Sequence, residues 1–398
     1  MSRQDRNARI AVAALFLTNG AIFANILPRY PQIKDDLDLS NAVYGLALAA
    51  YPIGALAAGL TAGVLIRRFR SARMAVLGTI VTGLGVLGAG IASNVYAFAV
   101  ALLIGGAADA ITDVAQNAHG LRVQRRYRRS ILNSFHALWS IGAALGGLMG
   151  AAATGLQLPR GPHLGISAVL FCLVSTAIYR HLLPGPDDDQ RGAGAAAPDG
   201  SDSVGGRADG TGFTKYLVIL ALGLLAVCGS FVEDAGSSWA ALYLSDGLGA
   251  PGAIAAFGFI ALVGAQTVGR LLGDRMVDRF GQRAVARTGG LITALGMGGA
   301  LAFDSVPVTI AGFAAAGSGV ATLVPAAMHG ADELPGFAPG TGVTLIGWLL
   351  RVGFLVSPPL VGLVADAASI RAGLLIVPLS GLLVVVLSGA LRNGRTAG

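Results

Sequence analysis

The chain has 398 residues, of which 54% are apolar and only 12% are charged, and its formal net charge is +7. A soluble domain carries about 25% charged residues, so this composition excludes an ordinary soluble protein. The positive charge does not indicate a nucleic-acid partner either, because the arginines are spread over separate short turns between apolar segments.

Twelve apolar segments of roughly 20 residues follow one another along the chain. This is the length of an α-helix that crosses the hydrocarbon core of a bilayer, and lipid requires the backbone polar groups to bond within the helix. The sequence therefore predicts an all-α membrane protein with twelve transmembrane helices. The predicted spans are 10–30, 42–66, 74–93, 95–120, 131–155, 162–182, 216–243, 252–274, 284–303, 306–329, 341–364 and 370–391.

Residues 183–213 interrupt this pattern with a segment rich in Gly, Ala, Pro, Asp and Ser. Such a composition is typical of a flexible linker. The segment divides the chain into an N-terminal half, residues 1–182, and a C-terminal half, residues 214–398, with six predicted helices in each.

Arginine-rich turns predict how the chain is oriented in the membrane. They follow the second, fourth and eighth predicted helices, whereas the turns on the opposite side are poor in Arg and Lys. Because short cytoplasmic loops are enriched in Arg and Lys, we expect both termini and the linker to lie in the cytoplasm.

The two halves repeat each other. Residues 54–63 read GALAAGLTAG and residues 264–273 read GAQTVGRLLG, with three glycines at matching positions. Each stretch is followed by an Arg-Phe pair, at 68–69 and 279–280. Two copies of one membrane-embedded unit, related by a pseudo-two-fold axis, are typical of a transporter.

The helix count, the central linker and the basic turns together resemble the major facilitator superfamily. The signature of that family after helix eight is an Asp, a basic residue, a Gly and further basic residues, and residues 278–283 (DRFGQR) match it. The first copy, residues 67–70 (RRFR), has arginines where the Asp and the Gly are expected. The resemblance implies a conformational latch formed by Asp278, Arg279, Gly281 and Arg283.

Shorter phrases resemble a bacterial subgroup often called MosC-like. These are RYPQIK at 29–34, DVAQN at 113–117, SFHALW at 134–139 and WAALYL at 239–244. The resemblance implies a bacterial cytoplasmic membrane and favours export. The drug-antiporter pattern of helix five expects a Gly-Pro, but residues 142–147 contain no proline, which argues against that class.

Ionisable side chains inside a span cost roughly 2.5–3.5 kcal/mol on insertion scales, so they usually face a cavity or a partner. Asp109, Asp113 and Asn117 are four residues apart and share one face of helix four. His136 on helix five lies in the same inner half of the membrane as Asp113. The pair predicts a proton-responsive site, and a structural hydrogen bond between the two helices is the alternative. The residues expected to carry proton coupling are Asp113, His136, Glu233 and Asp234.

Arg351 lies about ten residues into helix eleven and is expected to be the only arginine at this depth. A buried guanidinium needs an anionic partner, which is either a carboxylate, with Asp109 first by depth, or an anionic group of the substrate. Trp139 and Trp348 occupy equivalent positions in the two halves. They either stack on a ring of the substrate or pack between helices.

Glycines at small-xxx-small spacing predict close helix contacts. Such series occur on helix five, with Gly142, Gly146 and Gly150, on helix two and on helix eight. The resemblance implies that helix two packs on helix eleven and helix five on helix eight across the two halves.

We predict a secondary active transporter that works by alternating access and is coupled to protons. The sequence has no nucleotide-binding loop, no catalytic triad and no metal-ligand spacing, so we expect no enzyme activity, no cofactor and no metal. Cys172 and Cys228 are predicted to be packing residues. The residues expected to bind substrate are Asn19, Asp109, Asn117, Trp139, Glu233, Gln266, Trp348 and Arg351.

Export of a small polar metabolite or drug-like compound is the favoured direction. Two alternatives remain: uptake of a sugar or polyol by proton symport, and a membrane receptor or scaffold that transports nothing. The expected partners are a small-molecule substrate, the proton and the lipid bilayer, and the chain is expected to be a monomer.

Overall fold

The computed structural model describes residues 3–127, 131–185, 212–334 and 341–391. These residues form long helices joined by short turns, and no β-strand occurs among them. The helices are α1 (Arg3–Asp36), α2 (Asn41–Phe69), α3 (Ser71–Gly90), α4 (Val95–Tyr127), α5 (Leu132–Gly155), α6 (Arg160–Tyr179), α7 (Lys215–Gly247), α8 (Gly252–Phe280), α9 (Gln282–Ala302), α10 (Val306–Asp332), α11 (Thr341–Ala367) and α12 (Ile370–Ala390).

The predicted number of helices is confirmed. Eleven of the described helices are long and apolar enough to cross a membrane. The other, α9, has 21 residues, carries Arg283 and Arg287 near its start, and packs between α10 and α12. It completes the second group of six.

Helix packing is the same in the two groups of six. In the first group α1 packs on α5, α2 on α4, and α3 on both α4 and α6. In the second group α7 packs on α11, α8 on α10, and α9 on both α10 and α12. Each pair is the counterpart of one in the other half, six helices later, as the pseudo-two-fold arrangement requires.

The turn after α2 and the turn after α8 also share one backbone conformation. Arg70 ends α2 with φ 75° and ψ 147°, and Gly281 ends α8 with φ 81° and ψ 154°. In both turns the preceding arginine lies over the phenylalanine ring that follows it, at 68–69 and at 279–280. The sequence repeat is therefore also a repeat of local structure.

The first residues of the predicted linker are packed against α4. Leu183 is 2% exposed, and its N–H donates a hydrogen bond to Nε2 of His119 at 3.1 Å. Arg122 donates to the carbonyl oxygens of residues 183–185. Residues 186–211 lie outside the described part of the chain, so the flexible linker remains a prediction there.

The turns define two ends of the molecule. The basic end carries the arginines of the turns after α2 and α8 and of the last turns of α4, and the far end carries the turns after α1, α3 and α5. The two halves contact each other towards the far end, where Gly45 of α2 packs on Pro358 of α11 and Gly147 of α5 packs on Ile260 of α8. The expected pairing of α2 with α11 and of α5 with α8 is thus present.

The glycines that form these contacts are not the predicted ones. Gly142 and Gly146 face the backbone of α1 within their own half, at Leu17 and Ala21. A small-xxx-small series shows that a face is closely packed, but several neighbouring helices can supply the partner. Gly142 and Gly146 therefore pack α5 closely on α1 within the N-terminal half.

The halves are apart at the basic end. The hydrogen bonds and the ion pair that join described residues of the two halves all lie towards the far end, as between Asp366 and Asn41, Tyr44 and Ser238, and Lys34 and Asp246. The space between the halves is therefore closed at the far end and opens towards the basic end.

Candidate functional site

Charged side chains from both halves line the space between α4, α5, α8 and α11, which we term the central cavity. Asp113 of α4 and His136 of α5 are exposed although they lie deep in the molecule. Arg351 of α11 and Arg270 of α8 are also exposed. Asp113 interacts electrostatically with His136 and, more weakly, with Arg351, and His136 also interacts with Arg270. These groups therefore face each other across solvent.

A hydrogen-bonded chain joins α4 to α5 on the N-terminal wall of the cavity. Nδ2 of Asn117 donates to Oδ1 of Asp113 at 2.9 Å, and Nε2 of His136 lies 3.1 Å from Oδ1 of Asn117. An amide oxygen only accepts hydrogen bonds, so Nε2 of His136 is the donor. Asp113 and His136, predicted to face each other, are thus linked through Asn117.

Asp109 lies one helical turn from Asp113 and faces its own half. Its polar neighbours are the hydroxyl of Tyr51 on α2 and the side chain of Asn19 on α1. Asn19, a predicted binding residue, is only 4% exposed. Tyr51 was not predicted, because a tyrosine inside an apolar span gives no signal that its hydroxyl faces a carboxylate.

Glu233 forms an ion pair on the C-terminal wall of the cavity. Arg270 donates to Oε1 of Glu233 at 2.8 Å, and the Gln266 amide donates to the same oxygen. Gln266 and Arg270 lie one turn apart on α8. The structure thus brings together Glu233 and Gln266, two predicted binding residues, with an arginine that was not predicted.

The expectation that Arg351 is the only deep arginine is wrong. The predicted eighth span ended at residue 274, but α8 continues to Phe280. Arg270 therefore lies ten residues, about 15 Å, from the basic end. Arg351 lies at the same distance from Thr341, where α11 begins. No carboxylate of the described residues lies within 4 Å of the Arg351 guanidinium.

Asp234 belongs to the contact between the halves rather than to the cavity. It is 6% exposed and accepts a hydrogen bond from Oγ of Ser238 at 2.7 Å. The Ser238 carbonyl accepts a hydrogen bond from the Tyr44 hydroxyl of α2 at 2.8 Å. This part of α7 is π-helical at Ala235–Trp239. Such turns occur often at functional sites.

A second contact between the halves lies at the far end. The two carboxylate oxygens of Asp366 on α11 accept hydrogen bonds from the backbone N–H groups of Asn41 and Ala42, both at 2.8 Å. These N–H groups are among the four that the first turn of α2 leaves without a helical partner. Lys34 and Asp246 add an ion pair at 3.9 Å.

The two tryptophans at equivalent sequence positions have different surroundings. Trp348 lies three residues before Arg351 and is 42% exposed. Trp139 is half-buried, its side chain packs against the apolar core, and its carbonyl contacts Gly20 of α1. Of the pair, Trp348 is the more exposed side chain.

The residues of the predicted latch lie at the basic end, in the turn between α8 and α9. Arg283 donates hydrogen bonds to the carbonyl oxygens of Leu391 and Gly389, which ties α9 to the end of α12 within one half. Asp278 and Arg279 are exposed. Because the halves are apart here, the role of a latch between them remains a prediction.

The described residues contain no group of three His, Cys, Asp or Glu side chains arranged to hold a metal ion. Cys172 and Cys228 are free thiols on α6 and α7.

A family model described as Major Facilitator Superfamily matches residues 12–276. The chain is 28% identical over 391 residues to the uncharacterised transporter y4wD of Sinorhizobium fredii, covering 96% of this chain and 97% of that protein. It is 27% identical over 380 residues to the membrane protein MosC of Rhizobium meliloti, covering 95% and 88%. The crystal structure of a mutant of the nucleoside transporter NupG has a TM-score of 0.76 at 12% identity, covering 96% and 98% of the two chains. The resemblance to MosC-like proteins is confirmed.

Proposed function

Because the chain belongs to the major facilitator superfamily, an integral membrane transporter family, we propose that it is a proton-coupled secondary transporter that moves a small polar solute by alternating access. The observation that carries the proposal is the central cavity. It is lined by charged groups from both halves, is closed at the far end by contacts such as Tyr44 to Ser238, and is open at the basic end.

Asp113 is the group that we propose to bind the coupled proton. Its carboxylate is exposed to the cavity, so it can exchange protons with solvent, and it faces Arg351 of the other half. Opposite charges attract each other, and protonation of Asp113 removes this attraction between the halves.

His136 is a second candidate acceptor for the proton, because hydrogen bonds through Asn117 connect it to Asp113. Nε2 of His136 already holds a hydrogen in this arrangement, and Nδ1 is the nitrogen left to take up another. The negative charge of Asp113 favours that uptake, and the positive charge of Arg270 opposes it. We place the coupled proton on Asp113 because Asp113 faces Arg351 of the other half, and we propose that His136 positions Asn117 against it.

Reconstituted vesicles test the coupling. Asp113→Asn keeps the side-chain shape and removes the titrating group. Exchange of a solute that the variant still binds should persist, while accumulation driven by a pH gradient should be lost. Asp304→Asn is the matched control, because Asp304 is exposed at the far end and pairs with Arg371. Normal gradient-driven accumulation by Asp113→Asn would remove the proposed role.

We further propose that the protein is a monomer in a bacterial cytoplasmic membrane, with both termini and the linker in the cytoplasm. The basic end then faces the cytoplasm, and the cavity described above is open inwards. Export is the proposed direction, on the strength of the resemblance to MosC-like proteins. Efflux from preloaded cells, compared with uptake into the same cells, tests the direction.

A further inference from the structure

The charges in the central cavity are not all neutralised within the protein. Glu233 and Arg270 pair at 2.8 Å and cancel. Asp113 receives its hydrogen bond from the neutral amide of Asn117, and His136 reaches it only through that amide. Arg351 has no carboxylate within 4 Å among the described residues. One carboxylate and one guanidinium are therefore left without a close partner of opposite charge.

These two charges lie on opposite walls. Asp113 belongs to α4 in the N-terminal half and Arg351 to α11 in the C-terminal half, and they interact electrostatically although no direct ion pair forms. Both are exposed. The space between them is thus bounded by a negative group on one side and a positive group on the other.

We propose that this space binds an amino-acid-like zwitterion, with its ammonium group on Asp113 and its carboxylate on Arg351. This inference rests on the proposed function, and it specifies the class of solute. A guanidinium binds a carboxylate through two parallel hydrogen bonds, and an ammonium group offers three donors to a carboxylate.

Other classes of solute satisfy only part of the site. An anion places a like charge beside Asp113, a cation does so beside Arg351, and a neutral polyol compensates neither charge. Leaving a desolvated charge without a partner is costly, and a site discriminates between solutes largely through such penalties.

Trp348 supplies the apolar part of the site. It lies one helical turn from Arg351 and is 42% exposed. Residues three apart share a helix face, so the indole ring lies beside the proposed carboxylate site. An apolar substituent on the zwitterion has this ring to pack against, and we expect phenylalanine to bind more tightly than alanine.

Binding of matched compounds to the purified protein tests the inference. L-phenylalanine and L-alanine are zwitterions, their N-acetyl derivatives are anions, and their amides are cations. Isothermal titration calorimetry with these six compounds and myo-inositol should show binding of the zwitterions only. Binding of myo-inositol or of a singly charged derivative in preference to the zwitterions would overturn the inference.

Substitutions should then invert the selectivity. Arg351→Gln should weaken zwitterion binding about tenfold and make the amides the preferred ligands, whereas Asp113→Asn should make the N-acetyl derivatives preferred. A merely structural role weakens binding without such an inversion and would overturn the inference. Arg351→Lys keeps the charge and should retain zwitterion selectivity. It serves as the test if the Gln variant does not fold.

Transport measurements distinguish a failure of the zwitterion site from a failure of the proposed transport function. Gradient-driven transport of myo-inositol without zwitterion binding would overturn the zwitterion site and leave proton-coupled transport standing. Zwitterion binding with the expected inversion, but without any flux in vesicles, would support the site and contradict the transport proposal.

Discussion

Arg70 occupies a backbone conformation that is close to exclusive to glycine. It joins α2 to α3 with φ 75° and ψ 147°, and Gly281 has φ 81° and ψ 154° at the matching turn of the second half. The N–H of Arg70 donates to the Ile66 carbonyl at 2.7 Å, which holds the turn in place. We predict that Arg70→Gly stabilises the protein.

The size of the gain follows from two opposing terms. A non-glycine residue in such a region costs about 1–3 kcal/mol. Glycine adds conformational freedom to the unfolded chain, which costs about 0.5–1 kcal/mol. The Arg70 side chain is exposed, so its removal adds little. The difference between the two terms is a net stabilisation of about 1 kcal/mol, within a range of about 0–2.5 kcal/mol, and Gly281→Ala should destabilise by the same amount.

Thermal unfolding of the purified protein in detergent measures both effects. The unfolding temperature should rise for Arg70→Gly and fall for Gly281→Ala. Arg70→Ala is the matched control, because it removes the same charge but keeps the β-carbon. An equal rise for Arg70→Ala and Arg70→Gly would show that the gain comes from relief of charge repulsion, and it would refute the argument from backbone strain.

Three further predictions concern the two ends and the helix contacts. Asp366→Ala removes both acceptors from the first turn of α2, and spin-label distances across the far end should show a larger open population. Gly146→Ala should lower the unfolding temperature, because the β-carbon of the new alanine would meet the α1 backbone. Gly59→Ala should leave the unfolding temperature unchanged, because no atom of the described residues lies within 4 Å of a β-carbon there. The last prediction uses single cysteines, Leu156→Cys at the far end and Phe280→Cys at the basic end, in a cysteine-free background. An impermeant thiol reagent should label the first in intact cells and the second only after lysis. The reverse pattern would contradict the proposed orientation.

The number of helices could be predicted because lipid imposes a simple rule. A span must be apolar over about 20 residues and must satisfy its own backbone, so composition alone marks each one. The sequence repeat predicted a further detail, since the matching Arg-Phe pairs precede turns of equal backbone conformation, at Arg70 and Gly281.

The cavity was predictable only in part. Four-residue spacing places Asp109, Asp113 and Asn117 on one face of α4, but it does not show which neighbouring helix that face meets. The rotation of each helix about its axis is set by packing between helices, and small residues permit several partners. Arg270 was missed for a different reason: hydropathy ends a span at the first charged residues, whereas α8 continues to Phe280.

Two adjacent residues of α7 connect the cavity to the closed end. Glu233 points into the cavity and pairs with Arg270, while Asp234 holds Ser238, whose carbonyl accepts the Tyr44 hydroxyl of the other half. Side chains of successive helical residues lie about 100° apart, so both contacts depend on the same rotation of α7. A movement of the helix that keeps one contact while shifting the other must change its local winding. The π-helical turn at Ala235–Trp239 lies where such a change is needed, between the charged groups of the cavity and the contact that closes the far end.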